Sequence, residues 1–297
     1  MSDIKGMGGK KIHWYPGHMA SATRELKNAW RHIDVVVEVA DARVPVASRN
    51  PIFLSFTPQK PHILLFTHAD LADIDQGARW LRYLYEAGVF ALMVDVRQSA
   101  DIRLIRRQLL KIHAPILEKA KKQGRIARPL RILVSGIPNT GKSTLINQFV
   151  GKRSAAVEAR PGVTRQQNWL RSGAELHFLD TPGILPLKMA DEEGAKALAA
   201  SGAIRDSILP VEDVALWLFK TLSALYPDAL HARYGAVADD DHLLSVFSDT
   251  ALRMGCRLPG EEADLSRFSA MLLDDFRSGR IGRITLEWAP VTDIEIQ

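Results

Sequence analysis

The stretch GIPNTGKST, residues 136–144, decides the fold. Before it stands the apolar run LRILV (130–134), which reads as a buried strand. After it comes LINQFV (145–150), which continues as a helix. A G-x-x-x-x-G-K-S pattern between strand and helix is the arrangement that cradles a polyphosphate. Glycines at 136 and 141 let the backbone wrap closely, so successive N–H groups and the helix N-terminus face the anion. Lys142 is placed to reach β- and γ-phosphates, and the Ser143 hydroxyl to ligate Mg²⁺. Asn139, Thr140, Gly141 and Thr144 complete the cradle. This chemistry belongs to a protein that binds a nucleoside triphosphate.

Working outward, strands alternate with helices. Apolar runs at 35–41, 63–66, 90–94 and 176–179 read as buried strands, and helical patterns lie at 75–86 and 102–122. Such alternation predicts a mostly parallel sheet with helices on both faces. The 102–122 helix is basic, carrying Arg103, Arg106, Arg107, Lys111, Lys119, Lys121 and Lys122. After about residue 190 the character becomes helical, with patterns at 192–208, 211–225, 241–254 and 264–278. Residues 280–288 alternate apolar and polar like a terminal strand. The expected division is a basic N-terminal segment and helix (1–33), a nucleotide domain (34–188) and a helical C-terminal domain (189–297).

The chain of 297 residues is 46% hydrophobic and 25% charged, ordinary for a globular protein. A net charge of +5 points to a polyanionic partner. In the N-terminal segment a helix is expected over 21–32. Arg24, Lys27 and Arg31 share one of its faces beside Trp14 and Tyr15, either a solvated face or a phosphate-contacting arm. The single cysteine, Cys256, allows no internal disulfide, and no metal-cluster spacing occurs. With no secretory h-region and no membrane-length apolar run, the expected setting is cytoplasmic, without a membrane partner.

A second motif supports the first. DTPG (180–183) at a strand end fits D-x-x-G, in which Asp180 holds Mg²⁺ through water and the Gly183 N–H touches the γ-phosphate. Thr164, in the loop between, is positioned to offer its hydroxyl to the same ion. A guanine base needs a carboxylate accepting from its N1–H and N2–H₂ groups. The strand-end candidate is Asp70 in Thr67-His68-Ala69-Asp70, which precedes the phosphate loop. The order is that of a GTPase cut in a surface loop and rejoined, a change that leaves the sheet packing intact. The segment after Gly183 then feeds directly into the helical domain, so nucleotide state is expected to move that domain.

With these residues in place, the chain resembles the circularly permuted GTPases of the ribosome biogenesis GTPase A (RbgA/YlqF) family. The resemblance is carried by WYPGHMA (14–20), VADARVP (39–45), ASRNP (47–51), GIPNTGKSTLIN (136–147), RPGVTR (160–165), DTPGIL (180–185) and FRSGRIGRIT (276–285). It implies a GTPase that binds a large ribosomal subunit precursor, contacts ribosomal RNA and proteins, and is stimulated by the particle. Residue 184 is Ile, which cannot polarise water. The resemblance assigns that task to His18, whose other reading is a turn or RNA contact. It also implies K⁺ held by Asn139 near the β/γ-phosphates. The catalytic set is thus His18, Lys142 and Thr164.

The chain departs from the family's N-K-x-D base motif at Thr67 and His68. The asparagine that fastens the base loop is absent, His68 is left to stack on the ring, and weaker guanine affinity is expected. The base-covering loop around Asp95 and Val96 also matches poorly. Two other readings compete with particle-gated hydrolysis: a nucleotide-gated RNA- or ribosome-binding module with negligible hydrolysis, and an NTPase of relaxed base specificity.

Overall fold

The computed structural model describes residues 30–50, 60–151, 169–180 and 192–291. Expectations for most of the 21–32 helix, the RPGVTR loop and the residues following Asp180 lie outside them. Trp30–His32 is a 3-10 turn.

Six strands form one sheet in the order β3-β2-β1-β4-β6-β5. They are β1 (Val35–Asp41), β2 (His62–Thr67), β3 (Ala91–Met93), β4 (Leu130–Gly136), β5 (Trp169–Ser172) and β6 (Leu176–Asp180). All neighbours are parallel except the edge strand β5, which runs antiparallel to β6. Strand β5 was not anticipated, because its four residues mix polar and apolar types too briefly to show a period. Every residue of β1 is buried, as a central strand covered on both faces requires. One face packs Val35, Val37 and Val39 with the apolar stripes of α2 (Ser99–Lys122) and α3 (Lys142–Val150). The other packs Ala40, Leu64 and Phe66 against Trp80 and Leu84 of α1 (Ile74–Glu86).

The C-terminal half holds α4 (Glu192–Ser201), α5 (Val211–Leu225), α6 (Pro227–Tyr234), α7 (Leu243–Arg253) and α8 (Leu265–Arg277). Their core is built on Leu198, Leu218 and the rings of Phe219, Phe247 and Phe268. Phe247 and Phe268 meet edge to face at 4.8 Å. The helix expected over 192–208 stops at Ser201, because Gly202 turns to φ +85°. Helix α6 was missed because Pro227 reads as a breaker, yet it occupies the first helical position.

Residues 280–288 form no strand. They run as an extended strap over the sheet half, donating Ile284 N–H to Leu71 O and Leu286 N–H to Arg43 O. Trp80 Nε1 donates to Glu287 O, and the Glu287 carboxylate accepts from the Val46 and Ala47 N–H groups. The alternation seen in the sequence matches neither a strand nor the burial, since Ile284, Thr285 and Leu286 are all buried in succession.

The two halves are also joined at Asp41, a carboxylate at the end of β1 that is only 2% exposed. It accepts from Arg43 Nε (3.0 Å) and Nη2 (2.7 Å). The same guanidinium donates to Ser201 O of α4 (3.2 Å) and lies 5.4 Å from the ring centre of Phe276 in α8. Burial alone would raise the Asp41 pKa. The charge of Arg43 and the hydrogen bonds from His68 and Arg43 outweigh it and hold the carboxyl well below its ordinary 3.8.

With the folded-state pKa depressed, this pairing contributes its full stability above about pH 4 and loses it as pH falls further. Asp41→Asn, which leaves Arg43 buried without its counter-charge, is expected to destabilise the protein at neutral pH by about 3–5 kcal/mol. Urea denaturation compared at neutral and acidic pH checks this. The gap between wild type and variant should narrow on the acid side.

Candidate nucleotide-binding site

The phosphate loop leaves β4 under a steric constraint. A Cβ on Gly136 would lie 2.5 Å from the Val39 carbonyl oxygen of β1, so no other residue fits without moving a central strand. The loop closes through Thr140 Oγ1, which donates to Ile137 O at 2.9 Å. Asn139 (φ 60°) and Gly141 (φ 81°) both adopt left-handed backbone. Gly141 is the N-cap of α3 and, lacking a side chain, makes no side-chain cap hydrogen bond to its first turn. Lys142 is buried, whereas the Ser143 and Thr144 side chains are exposed. Together with His68, these residues line a cleft of about 460 Å³. Its size and its N–H-rich floor fit a polyphosphate.

The end of β2 leans on this loop. Thr67 is fully buried, with its hydroxyl 2.7 Å from Thr140 O and 2.9 Å from Ala40 O. Its methyl and that of Val96 both stand 3.6 Å from where a Gly141 Cβ would sit. The fastening expected to be lost with the family's asparagine is therefore supplied by a threonine hydroxyl. His68, at φ 56°, places Nδ1 3.1 Å from Asp41 Oδ2 while its ring lines the phosphate cleft. Asp70 follows on the same loop, and its Oδ2 accepts from Arg97 Nη2 at 2.6 Å.

Arg97 also bonds both oxygens of Asp95, whose backbone N–H donates to Asp101. The Asp95 hydrogen bond and then the Asp70 charge raise the Arg97 pKa above its ordinary value. Sequence reasoning missed Arg97. The available signal was a basic residue two positions after the strand-end Asp95, facing a loop already assigned an acid.

The loop is tied to the helical half as well. Ile137, inside the phosphate loop, belongs to the apolar core of α4–α8 together with Val44 and Ala47. Asn139 Nδ2 donates to Gly202 O at 2.7 Å, next to the Ser201 carbonyl held by Arg43. On the other flank of β4, Asp180 pairs in register with Val134, two residues before Gly136. The Asp180 side chain, His18, Thr164 and Gly183 lie outside the described residues.

A family model described as 50S ribosome-binding GTPase matches residues 131–238. It begins in β4 and leaves out β1–β3, the strands that a permuted chain places first. Ribosome biogenesis GTPase A of Priestia megaterium is 36% identical, over 93% of this chain and 96% of its own. The protein of that name from Bacillus cereus is also 36% identical, over 93% of each. The chain belongs to the ribosome biogenesis GTPase A family. Membership makes it a GTP hydrolase. Solved structures of GDP-bound TM YlqF and of GNP-bound YlqF from T. maritima share the fold, with TM-scores of 0.64 and 0.62. Each is 24% identical, and they cover 89% and 92% of this chain and 99% and 100% of theirs. The circularly permuted order read from the motifs matches this fold.

Thr67→Val keeps shape but removes the hydroxyl that clamps the base loop. Losing one neutral hydrogen bond predicts guanine nucleotide binding weaker by up to about tenfold. Thr67→Asn restores a clamp and is expected to match or exceed wild type. Titration of a fluorescent GDP analogue measures both.

Proposed function

We propose that this chain hydrolyses GTP on an immature large ribosomal subunit. The particle stimulates turnover, and nucleotide state is passed to the helical region, 189–297. The names of the relatives supply the ribosomal setting. The observation that carries the coupling is the double attachment of the phosphate loop to that region, through buried Ile137 and the Asn139–Gly202 hydrogen bond.

In this reading Asp70 accepts from the guanine base. Thr67 fixes its loop, His68 covers the ring, and Asp95 and Val96 form the wall behind. Lys142 and the N–H groups of 139–144 hold the phosphates, and the Gly183 N–H reads the γ-phosphate. His18 orients the attacking water, because Ile184 cannot. The exposed Ser143 hydroxyl in the first turn of α3 and the register of Asp180 beside β4 fit a Mg²⁺ site completed by Thr164. Mg²⁺ bound there supplies charge neutralisation on the phosphates. The Asn139 side-chain oxygen is the proposed K⁺ ligand, its Nδ2 being the atom turned to Gly202. Basic surfaces meet ribosomal RNA and proteins, and the working compartment is the cytoplasm. No helix among the described residues is long and apolar enough to cross a membrane.

Single-turnover hydrolysis with and without purified large subunits tests the proposal. Wild type is expected to accelerate with particles, and more in K⁺ than in Na⁺ buffer. His18→Ala should lose about 10²-fold or more of the stimulated rate while still binding GTP. Unchanged stimulated turnover in His18→Ala would remove that residue from catalysis, and no acceleration of wild type would favour a nucleotide-gated clamp. Asp70→Asn is expected to shift preference toward xanthosine nucleotides. Undiminished preference for GTP would place base recognition elsewhere.

A further inference from the structure

Strand register assembles two arginines around a histidine, a group that the nucleotide site does not use. Arg131 of β4 pairs with His177 of β6, which pairs with Arg171 of β5. Register partners on adjacent strands point to the same face, so the three side chains form one row across the sheet. Two strand spacings put the Cα atoms of Arg131 and Arg171 roughly 10 Å apart. The Arg131 guanidinium lies 5.8 Å from the centre of the Trp169 ring. His32 extends the row, with Nδ1 3.4 Å from Arg131 Nη1, and Arg31 Nε donates to His32 Nε2.

The acid beside the row feels the Arg131 charge without forming an ion pair with it. Nearby Asp34 is committed to Arg128, at 2.5 and 2.7 Å, and to the Arg131 backbone N–H. Among the described residues, neither Arg131 nor Arg171 forms an ion pair with a carboxylate. Burial, then the charges of Arg171 and Arg131, lower the His177 pKa. The fold therefore keeps two arginines on either side of an imidazole, at an electrostatic cost an anion would relieve. Around the edge of the sheet, Ser172 faces the opposite side and accepts from Arg106 of α2. There, exposed Arg103, Arg107 and Lys111 continue the positive surface.

The row stands apart from the GTP site. Arg131 precedes Gly136 by five residues of β4, about 16 Å along the strand. Both arginines lie outside the phosphate and base loops.

We propose that Arg131, His177 and Arg171, with Trp169, form a binding site for single-stranded or loop RNA. The arginines take backbone phosphates, while the indole and the guanidinium plane upon it stack on a base. The planar groups favour RNA over an acidic protein, which offers carboxylates but no bases to stack. This site rests on the ribosomal reading above and names the surface that serves it.

The test uses the full chain and a fluorescein-labelled single-stranded RNA oligonucleotide, titrated across a salt series. Each single-strand phosphate contact contributes about 0.7 to the slope of log affinity against log salt. The Arg131→Gln/Arg171→Gln double variant should bind about tenfold or more weakly, with a slope smaller by about 1.4. Its GTP hydrolysis without particles should be unchanged. Arg171→Gln alone, at an exposed position, should fold as wild type by thermal melting and lose about 0.7 of slope. Unaltered RNA affinity and slope in Arg171→Gln and the double variant overturn the proposal. Unaltered RNA binding together with lost co-sedimentation on large subunits also overturns it, and assigns the row to a protein. Weakened RNA binding in a chain whose GTP turnover ignores the particle leaves this site standing and removes the particle-gated reading instead.

Discussion

A carboxylate buried at the end of a central strand has to be met by hydrogen-bond donors, and Asp41 is met from two directions. Arg43 reaches it from the loop that faces the helical half, and His68 from the loop that faces the phosphate cleft. Desolvating one charge costs several kcal/mol unless its partners are well placed, so neither partner is free to drift. One residue thus ties the loop after β2 to the docking of α4 and α8. A shift of His68 is felt at Asp41, and a shift of Arg43 is felt at the Ser201 carbonyl.

The phosphate loop meets the same turn by a second route. In an ordinary α/β protein such a loop needs only its strand, its helix and solvent. Here Ile137 is buried in the helical core, and Asn139 holds the carbonyl of Gly202, the residue after Ser201. Two independent contacts, one from β1 and one from β4, converge on the C-terminal end of α4. Permutation explains why this is useful. In the chain, α4 is the first described element after β6, so sequence order and non-covalent contact bear on one element.

Much of this was legible in sequence because its causes are local. Phosphate-loop glycines are demanded by backbone approach, as the Gly136–Val39 distance shows, and a parallel core strand needs an unbroken apolar run. What escaped depends on contacts distant in the chain. Thr67 looked like a defect in a base motif until its hydroxyl was found on the Thr140 carbonyl. Arg97 gains its meaning only when β2 and β3 bring Asp70 and Asp95 together. The strap at 280–288 has the alternation of a strand, but its partners are loop carbonyls and side chains, which no periodicity distinguishes. The helical pattern read over 192–208 runs straight through Gly202, which hid the turn that ends α4.

The net charge of +5 acquires a direction from the same sheet. At the C-terminal ends of its parallel strands lie the phosphate loop and a helix N-terminus, where partial positive charge comes from backbone N–H groups. At the other end, formal positive charge comes from Arg131, Arg171 and their neighbours. Backbone dipoles suit a ligand that must be bound, hydrolysed and released within a shaped pocket. Exposed guanidinium groups suit an extended polyanion whose grip varies with salt. At the centre of the sheet between them, β1 is covered along its whole length. A stiff element separating two anion sites lets each keep its own chemistry. The sheet is not what joins the strand-end loops to the helical half; the contacts at Ser201 and Gly202, with buried Ile137, do that.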